Sequence, residues 1–183
     1  MIRHPISTSL SIIQRNWGNT AEHLLQNPYL INKCLNKKRL KFSFKILETG
    51  TNLEKFVLEW CLNNSYPLSI CNDRKWLTIS YEELILKPRQ MVDLICNYLD
   101  LFDKERMLKT VFNPSRTASK KSKKDILEKD PYYLVNKWKN KIDNYTESKV
   151  MSILNEFGID AYKKGRTLPS STLLHFESKS DYE

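Results

Sequence analysis

The chain has 183 residues, and this length and its 40% apolar content exclude a wholly disordered protein and suit one domain with a sizeable core. No apolar run approaches the ~20 residues that a membrane-spanning helix needs. Lys and Arg outnumber Asp and Glu by 30 to 21, and the resulting net charge of +9 favours anionic partners.

The first predicted helix begins at Pro5, a residue suited to the first helical position. Ile6, Leu10, Ile13 and Trp17 follow at helical spacing, so the helix is expected to end near Gly18. Farther on, apolar residues alternate with polar ones over 42–46. This short pattern fits a strand or a lysine-lined helix equally well.

A longer amphipathic pattern starts at Asn52 and predicts a helix that stops at a turn around Pro67. The segment 76–81, WLTISY, is rich in β-branched and aromatic residues and predicts a strand. Pro88 then opens another predicted helix. A second possible strand is the stump formed by residues 1–2.

The second half of the chain is also mainly helical in pattern. Residues 113–115 predict a loop, and the basic stretch that follows, up to Lys124, is expected to be mobile. Asp130 and Pro131 form an N-cap and first helical position. Thr146 is taken to cap the last helix, which Gly158 ends. Beyond about residue 166 the chain is polar and Ser-rich, so the domain is assigned to 1–165 and a disordered tail to 166–183.

Charge and cysteine usage add two expectations. Basic residues without any acid occupy 33–45 and 116–124, and each zone is either a solvated face or part of an anion-binding surface. The four cysteines form no C-x-x-C pair, and the three histidines are scattered. We therefore predict no metal site and a reducing, cytoplasmic compartment.

The opening residues carry the most specific chemical pattern. Arg3-His4-Pro5 places an arginine just before a predicted helix, and Ser11 lies two turns along that helix. Arginine offers a planar fork of donors to phosphate, and serine adds a neutral donor. If a strand ends at Arg3, these groups lie at the carboxyl edge of a sheet, where ligands of open α/β sheets bind.

RHPISTSLS resembles the segment that binds the 3′-phosphate in sulfotransferases that use 3′-phosphoadenosine 5′-phosphosulfate. Later stretches resemble further parts of that family, in the family's order. They are SYEELILKPRQMVDLICNYLDL (80–101), NPSRTAS (113–119), Trp138-Lys139 and ILNEFGIDAY (153–162). The resemblance implies an α/β fold, namely part of a P-loop-type three-layer domain with a parallel sheet. The helix-rich pattern is then explained by missing N-terminal strands.

The resemblance also implies the site. Arg3 and Ser11 would bind the 3′-phosphate, Tyr81 would meet the adenine, and Ser115 and Arg116 would lie near the nucleotide. It assigns no catalytic base, because the family's phosphosulfate-binding loop and base precede the R-x-P segment. His4 lies at a position that varies in the family and is not taken as the base.

The expected function is transfer of a sulfuryl group from 3′-phosphoadenosine 5′-phosphosulfate, a co-substrate, to a hydroxyl-bearing acceptor such as a carbohydrate. The chain is expected to be an incomplete, weakly active or inactive sulfotransferase, without nucleic-acid or membrane partners. The alternatives are a non-enzymatic, basic helical protein that binds nucleic acid or another polyanion, and a homologue that serves only as a partner subunit.

Overall fold

The structure is a computed structural model that describes residues 1–70, 77–116 and 118–170. Eleven α-helices and one short 3₁₀ helix lie in these ranges. In chain order they are α1 (Pro5–Gln14), α2 (Ala21–Leu24), α3 (Pro28–Cys34), α4 (Lys37–Thr49), α5 (Asn52–Ser69), α6 (Tyr81–Leu86), α7 (Pro88–Leu99), α8 (Lys104–Thr110), α9 (Lys120–Glu128), α10 (Pro131–Asn136), the 3₁₀ helix (Lys139–Lys141) and α11 (Asn144–Glu156).

The predicted α/β fold is wrong. The described ranges contain no strand or sheet, and therefore no three-layer domain with a parallel sheet. The two segments expected to be strands meet only in an isolated parallel bridge between Ile2 and Ser80. The backbone at 77–79 is extended without a ladder, and Trp76 lies outside the described residues. The helices of the described ranges pack on one another and not on a sheet.

The main core surrounds α5, on which α1, α2, α3, α4 and α11 pack. Val57, Leu58 and Cys61 are completely buried in the middle of α5. The helix starts with a capping box, in which Thr51 and Glu54 bond reciprocally to each other's backbone. It then runs through Pro67, so the predicted turn there is wrong. A smaller cluster joins α6 to α10.

Several boundaries follow the predicted signals. Pro5, Pro88 and Pro131 each begin a helix, and the Asp130 carboxylate accepts a hydrogen bond from the Tyr133 N–H at 2.9 Å. The helix from Pro5 ends earlier than expected, and Trp17 is exposed.

Other boundaries differ from the prediction. The segment 42–46, for which strand and helix were both open, is helical within α4. The N-cap of α11 is Asp143 and not Thr146, while Gly158 follows the helix with a φ of 70°. The tail from residue 171 onward lies outside the described residues, as does Cys71.

The last five residues of the basic stretch that was expected to be mobile, 120–124, belong to α9. Ser119 caps this helix by accepting a hydrogen bond from the Ser122 N–H at 3.1 Å. None of the helices in the described part of the chain has the length and apolar character needed to cross a membrane.

A buried carboxylate joins three distant segments. Glu82 on α6 is only 1% exposed. Its Oε1 accepts a hydrogen bond from the His4 N–H at 2.8 Å, and its Oε2 accepts one from the Tyr162 hydroxyl at 2.9 Å. Burial raises the pKa of Glu82, and these two donors lower it in part.

We expect Tyr162→Phe to lower the free energy of unfolding by about 1–3 kcal/mol, because it leaves a buried carboxylate oxygen without its donor. Tyr145→Phe, which removes an exposed hydroxyl from α11, is the matched control and should change stability little. Urea unfolding followed by circular dichroism measures both. Equal midpoints for the two variants would show that the Glu82 cluster does not stabilise the fold.

Candidate functional site

A cavity of about 280 Å³ lies between α1, α6, α9 and α10. Its lining contains four basic side chains, five hydroxyls and an apolar floor, and the described lining includes no Asp or Glu. The basic groups are Arg3, Arg15, Lys137 and Lys141, and the hydroxyls are Ser7, Ser11, Tyr81, Ser115 and Ser122. We call this space the basic cavity. Its charge and its mixed polar and apolar lining suit an anion that carries an apolar ring.

The bridge between Ile2 and Ser80 positions Arg3. The Ile2 N–H donates to the Ile79 carbonyl, and the Tyr81 N–H donates to the Ile2 carbonyl, both at 2.8 Å. Arg3 is thereby brought beside Tyr81, with its Cζ 4.6 Å from the centre of the ring. The Arg3 carbonyl accepts a further hydrogen bond from the Trp60 indole N–H at 3.1 Å.

The Arg3 guanidinium still has N–H donors available for a ligand. One terminal nitrogen donates to the Ser7 hydroxyl at 2.9 Å, whereas Nε is buried and has no partner among the described groups. An arginine has five N–H donors in a fixed fork, so a phosphate in the cavity can accept several of them.

One face of α1 supplies the next set of contacts. Ser7, Leu10, Ser11 and Gln14 stand at positions i, i+3, i+4 and i+7 of the helix, and all four line the basic cavity. Arg15 extends this face and lies over the exposed Trp17 ring at 4.9 Å. Ser11 therefore lies one turn beyond the serine that contacts Arg3.

The structure brings four of the five predicted site residues together. Arg3, Ser11, Tyr81 and Ser115 all line the basic cavity. Arg116 is exposed and is not among the lining residues. Thr117, also in the NPSRTAS segment, lies outside the described residues.

Sequence reasoning missed Ser7, Arg15, Ser122, Lys137 and Lys141. Lys137 is held by Asp125 of α9, with 3.1 Å between its Nζ and the carboxylate, and Lys141 contacts the Gln14 amide oxygen at 3.4 Å. Both lysines flank the Trp138-Lys139 pair that the sequence already singled out. Lys137 is the C-cap of α10 and Lys141 ends the following 3₁₀ helix, so no helical spacing in the sequence could have indicated them.

Tyr81 and His4 keep their neutral forms. Burial raises the pKa of Tyr81, against a smaller lowering by Arg3, so its hydroxyl remains a donor at pH 7. His4 is completely buried, and its ring stacks on Trp138 with 4.3 Å between centroids. Its pKa is lowered from 6.5 to about 3, mainly by burial; the backbone of Arg166 raises the pKa in part, and the nearby charges of Lys139 and Arg3 contribute to the lowering.

Comparison of the chain with known protein families, with curated proteins and with solved structures finds no match. Within the described ranges, no three His, Cys, Asp or Glu side chains come together to hold a metal ion. The functional assignment of the basic cavity therefore depends on the geometry and chemistry of its own residues.

We expect His4 to make the protein sensitive to acid. Because the pKa of its folded form lies below that of the unfolded chain, its contribution to stability is complete above pH 6.5 and is lost as the pH falls toward 3. At about 1.4 kcal/mol per unit the full loss is on the order of 5 kcal/mol. The raised pKa of Glu82 has the opposite sign and offsets part of this loss.

Urea unfolding at pH 7, 5 and 4 tests this expectation. His4→Phe should flatten the dependence on pH, because phenylalanine can retain the stacking on Trp138 but takes up no proton. His23→Phe replaces an exposed histidine on α2 and should keep the steep dependence. A steep dependence that persists in His4→Phe would assign the acid sensitivity to other groups.

Proposed function

We propose that this protein is a sulfotransferase whose basic cavity binds the 3′-phosphoadenosine part of the sulfuryl donor 3′-phosphoadenosine 5′-phosphosulfate. The observation that supports this most is the convergence of Arg3, Ser11, Tyr81 and Ser115 on one cavity. The four positions come from three separate segments of the chain, and the resemblance selected them for one ligand. The proposal does not depend on a parallel sheet.

In this proposal, Arg3 binds the 3′-phosphate through its unpaired Nε and its remaining terminal donors. Ser7 and Ser11 add hydroxyl donors from α1, as Ser7 can rotate its hydroxyl hydrogen toward a phosphate while accepting from Arg3. Each charge-assisted hydrogen bond of this kind contributes about 1.5–3 kcal/mol.

The apolar floor accommodates the adenine. Ile85, Val111 and Leu134 line the cavity beside the Tyr81 ring. A purine ring packs on such a surface, while the Tyr81 hydroxyl offers a donor to a ring nitrogen. Lys137 and Lys141, which also line the cavity, provide further positive charge for the 5′-phosphosulfate.

The overall reaction is displacement at sulfur. The acceptor oxygen forms a bond to sulfur while the bond from sulfur to the 5′-phosphate oxygen breaks, and the acceptor proton passes to a base. The basic cavity stabilises the departing bisphosphate, which carries the negative charge that develops. Its described lining contains no carboxylate or imidazole that could accept the proton, so we expect this chain by itself to bind the donor better than it turns it over.

The acceptor in this proposal is a hydroxyl-bearing molecule such as a carbohydrate, and the compartment is cytoplasmic. Cys61 and Cys96 are free, buried thiols, as is common in reducing compartments. Burial raises the pKa of the Cys61 thiol and keeps it unreactive.

Calorimetric titration with adenosine 3′,5′-bisphosphate tests the proposal. We expect Arg3→Gln to weaken binding by roughly 10–100-fold and Ser11→Ala by roughly 2–10-fold, from the number and charge of the bonds lost. Arg89→Gln, which removes an exposed arginine from α7, is the matched control and should bind normally. Melting temperatures of all variants check that each is folded.

Two comparisons make the titration specific. Adenosine 5′-monophosphate lacks the 3′-phosphate and should bind more weakly to the unaltered protein, with little further loss in Arg3→Gln. A single-stranded oligonucleotide should not compete with the bisphosphate. Equal affinity for the two nucleotides, or competition by the oligonucleotide, would favour a general polyanion-binding protein and overturn the proposal.

A further inference from the structure

A second cavity, of about 260 Å³, lies on the other side of Arg3, between α1 and α5. Its lining includes Arg3, Thr8, Phe56, Glu59, Trp60 and Asn63. We call it the α1/α5 cavity. A ligand of this cavity need not be a nucleotide, so an inference about that ligand goes beyond the function proposed above.

Besides the Nε of Arg3, two polar atoms of the lining residues are buried without a partner among the described groups. They are the Glu59 Oε2 and the Thr8 Oγ1. The other oxygen of Glu59 accepts a hydrogen bond from the Thr20 hydroxyl at 2.6 Å, which holds the carboxylate in place. A buried carboxylate oxygen without a donor is costly, so each of these atoms is suited to a ligand hydroxyl.

The charge in the lining excludes one class of ligand. Glu59 disfavours an anion, whereas the Arg3 guanidinium contacts Tyr81 and Ser7 of the basic cavity. A neutral hydroxyl satisfies both orphan atoms, because it donates to the carboxylate and can both donate to and accept from Thr8. The Asn63 side chain adds one more donor and acceptor at the exposed rim.

The volume of the cavity and the aromatic side chains in its lining restrict the class of ligand further. Phe56 and Trp60 are buried at 4% and 6% exposure and contribute aromatic surface. A volume of about 260 Å³ lies just below the roughly 300 Å³ at which sites for drug-sized ligands begin. The cavity therefore suits one ring that has both hydroxyl groups and an apolar face.

We propose that the α1/α5 cavity binds a neutral monosaccharide unit through the Glu59 carboxylate and the Thr8 hydroxyl. The unit is either a free sugar or one residue of a longer glycan. In both cases the recognised chemistry is the same.

Heteronuclear NMR of the full chain tests this proposal with methyl α-D-glucopyranoside, methyl α-D-mannopyranoside and N-acetylglucosamine as probes. At least one probe should cause saturable shifts of the Thr8 and Glu59 amides and of the Trp60 indole N–H. Acetate and methylammonium should not. A trisaccharide of the best probe separates the two sources, since tighter binding indicates a glycan and unchanged binding a free sugar.

Glu59→Gln should weaken the best probe by roughly 10-fold or more, because a charge-assisted acceptor is replaced. Thr8→Val should weaken it less, and Glu48→Gln, which alters an exposed residue of α4, should leave it unchanged. Absence of saturable shifts with all three sugars, stronger binding of methylammonium, or normal affinity in Glu59→Gln would overturn the proposal. Titration of the same sample with adenosine 3′,5′-bisphosphate reports separately on the basic cavity, so the two proposals fail independently.

Discussion

The structure depends on the two hydrogen bonds that satisfy the buried Glu82 carboxylate. They join α6 to the backbone of His4 near the start of the chain and to Tyr162 beyond α11, across separations of 78 and 80 residues. A buried carboxylate is costly unless its oxygens are bonded. The carboxylate is therefore accommodated only when all three segments are assembled, and this couples the first residues of the chain to the core around α5.

The candidate site follows from that coupling. Because the His4 N–H is hydrogen-bonded to α6, Ile2, two residues earlier, pairs with the backbone on both sides of Ser80. The Trp60 indole holds the Arg3 carbonyl from the side of α5. The guanidinium is thereby packed on Tyr81 before any ligand arrives, so less side-chain entropy is lost on binding than for a freely rotating arginine.

Local signals in the sequence predicted the starts of four of the eleven α-helices in the described ranges, but not the fold class. Pro5, Pro88 and the Asp130-Pro131 pair begin helices because capping and the fixed φ of proline act within one turn. The strand prediction over 76–81 failed because β-branched and aromatic residues favour a pleated, half-buried surface only where neighbouring strands supply one. Here Ile2 is the one bridged partner among the described residues. Part of the basic stretch up to Lys124 forms α9, because lysine is a good helix former and Ser119 provides the cap.

The candidate site shows the same limit of prediction from local sequence signals. Arg3, Ser11, Tyr81 and Ser115 were predicted from a resemblance. Lys137 and Lys141 join them only through the packing of α10 and the turn after it, which no local pattern encodes.

Arg3 lies in the lining of two cavities that differ in charge. On the side with the two lysines its charge adds to theirs and draws anions in. On the side with Glu59 the carboxylate disfavours an anion, whereas a neutral hydroxyl meets no opposing charge. The Arg3 guanidinium contacts Ser7 and Tyr81 of the basic cavity, and the Arg3 carbonyl contacts Trp60 of the α1/α5 cavity, so the two cavities are lined by different chemical groups of one residue.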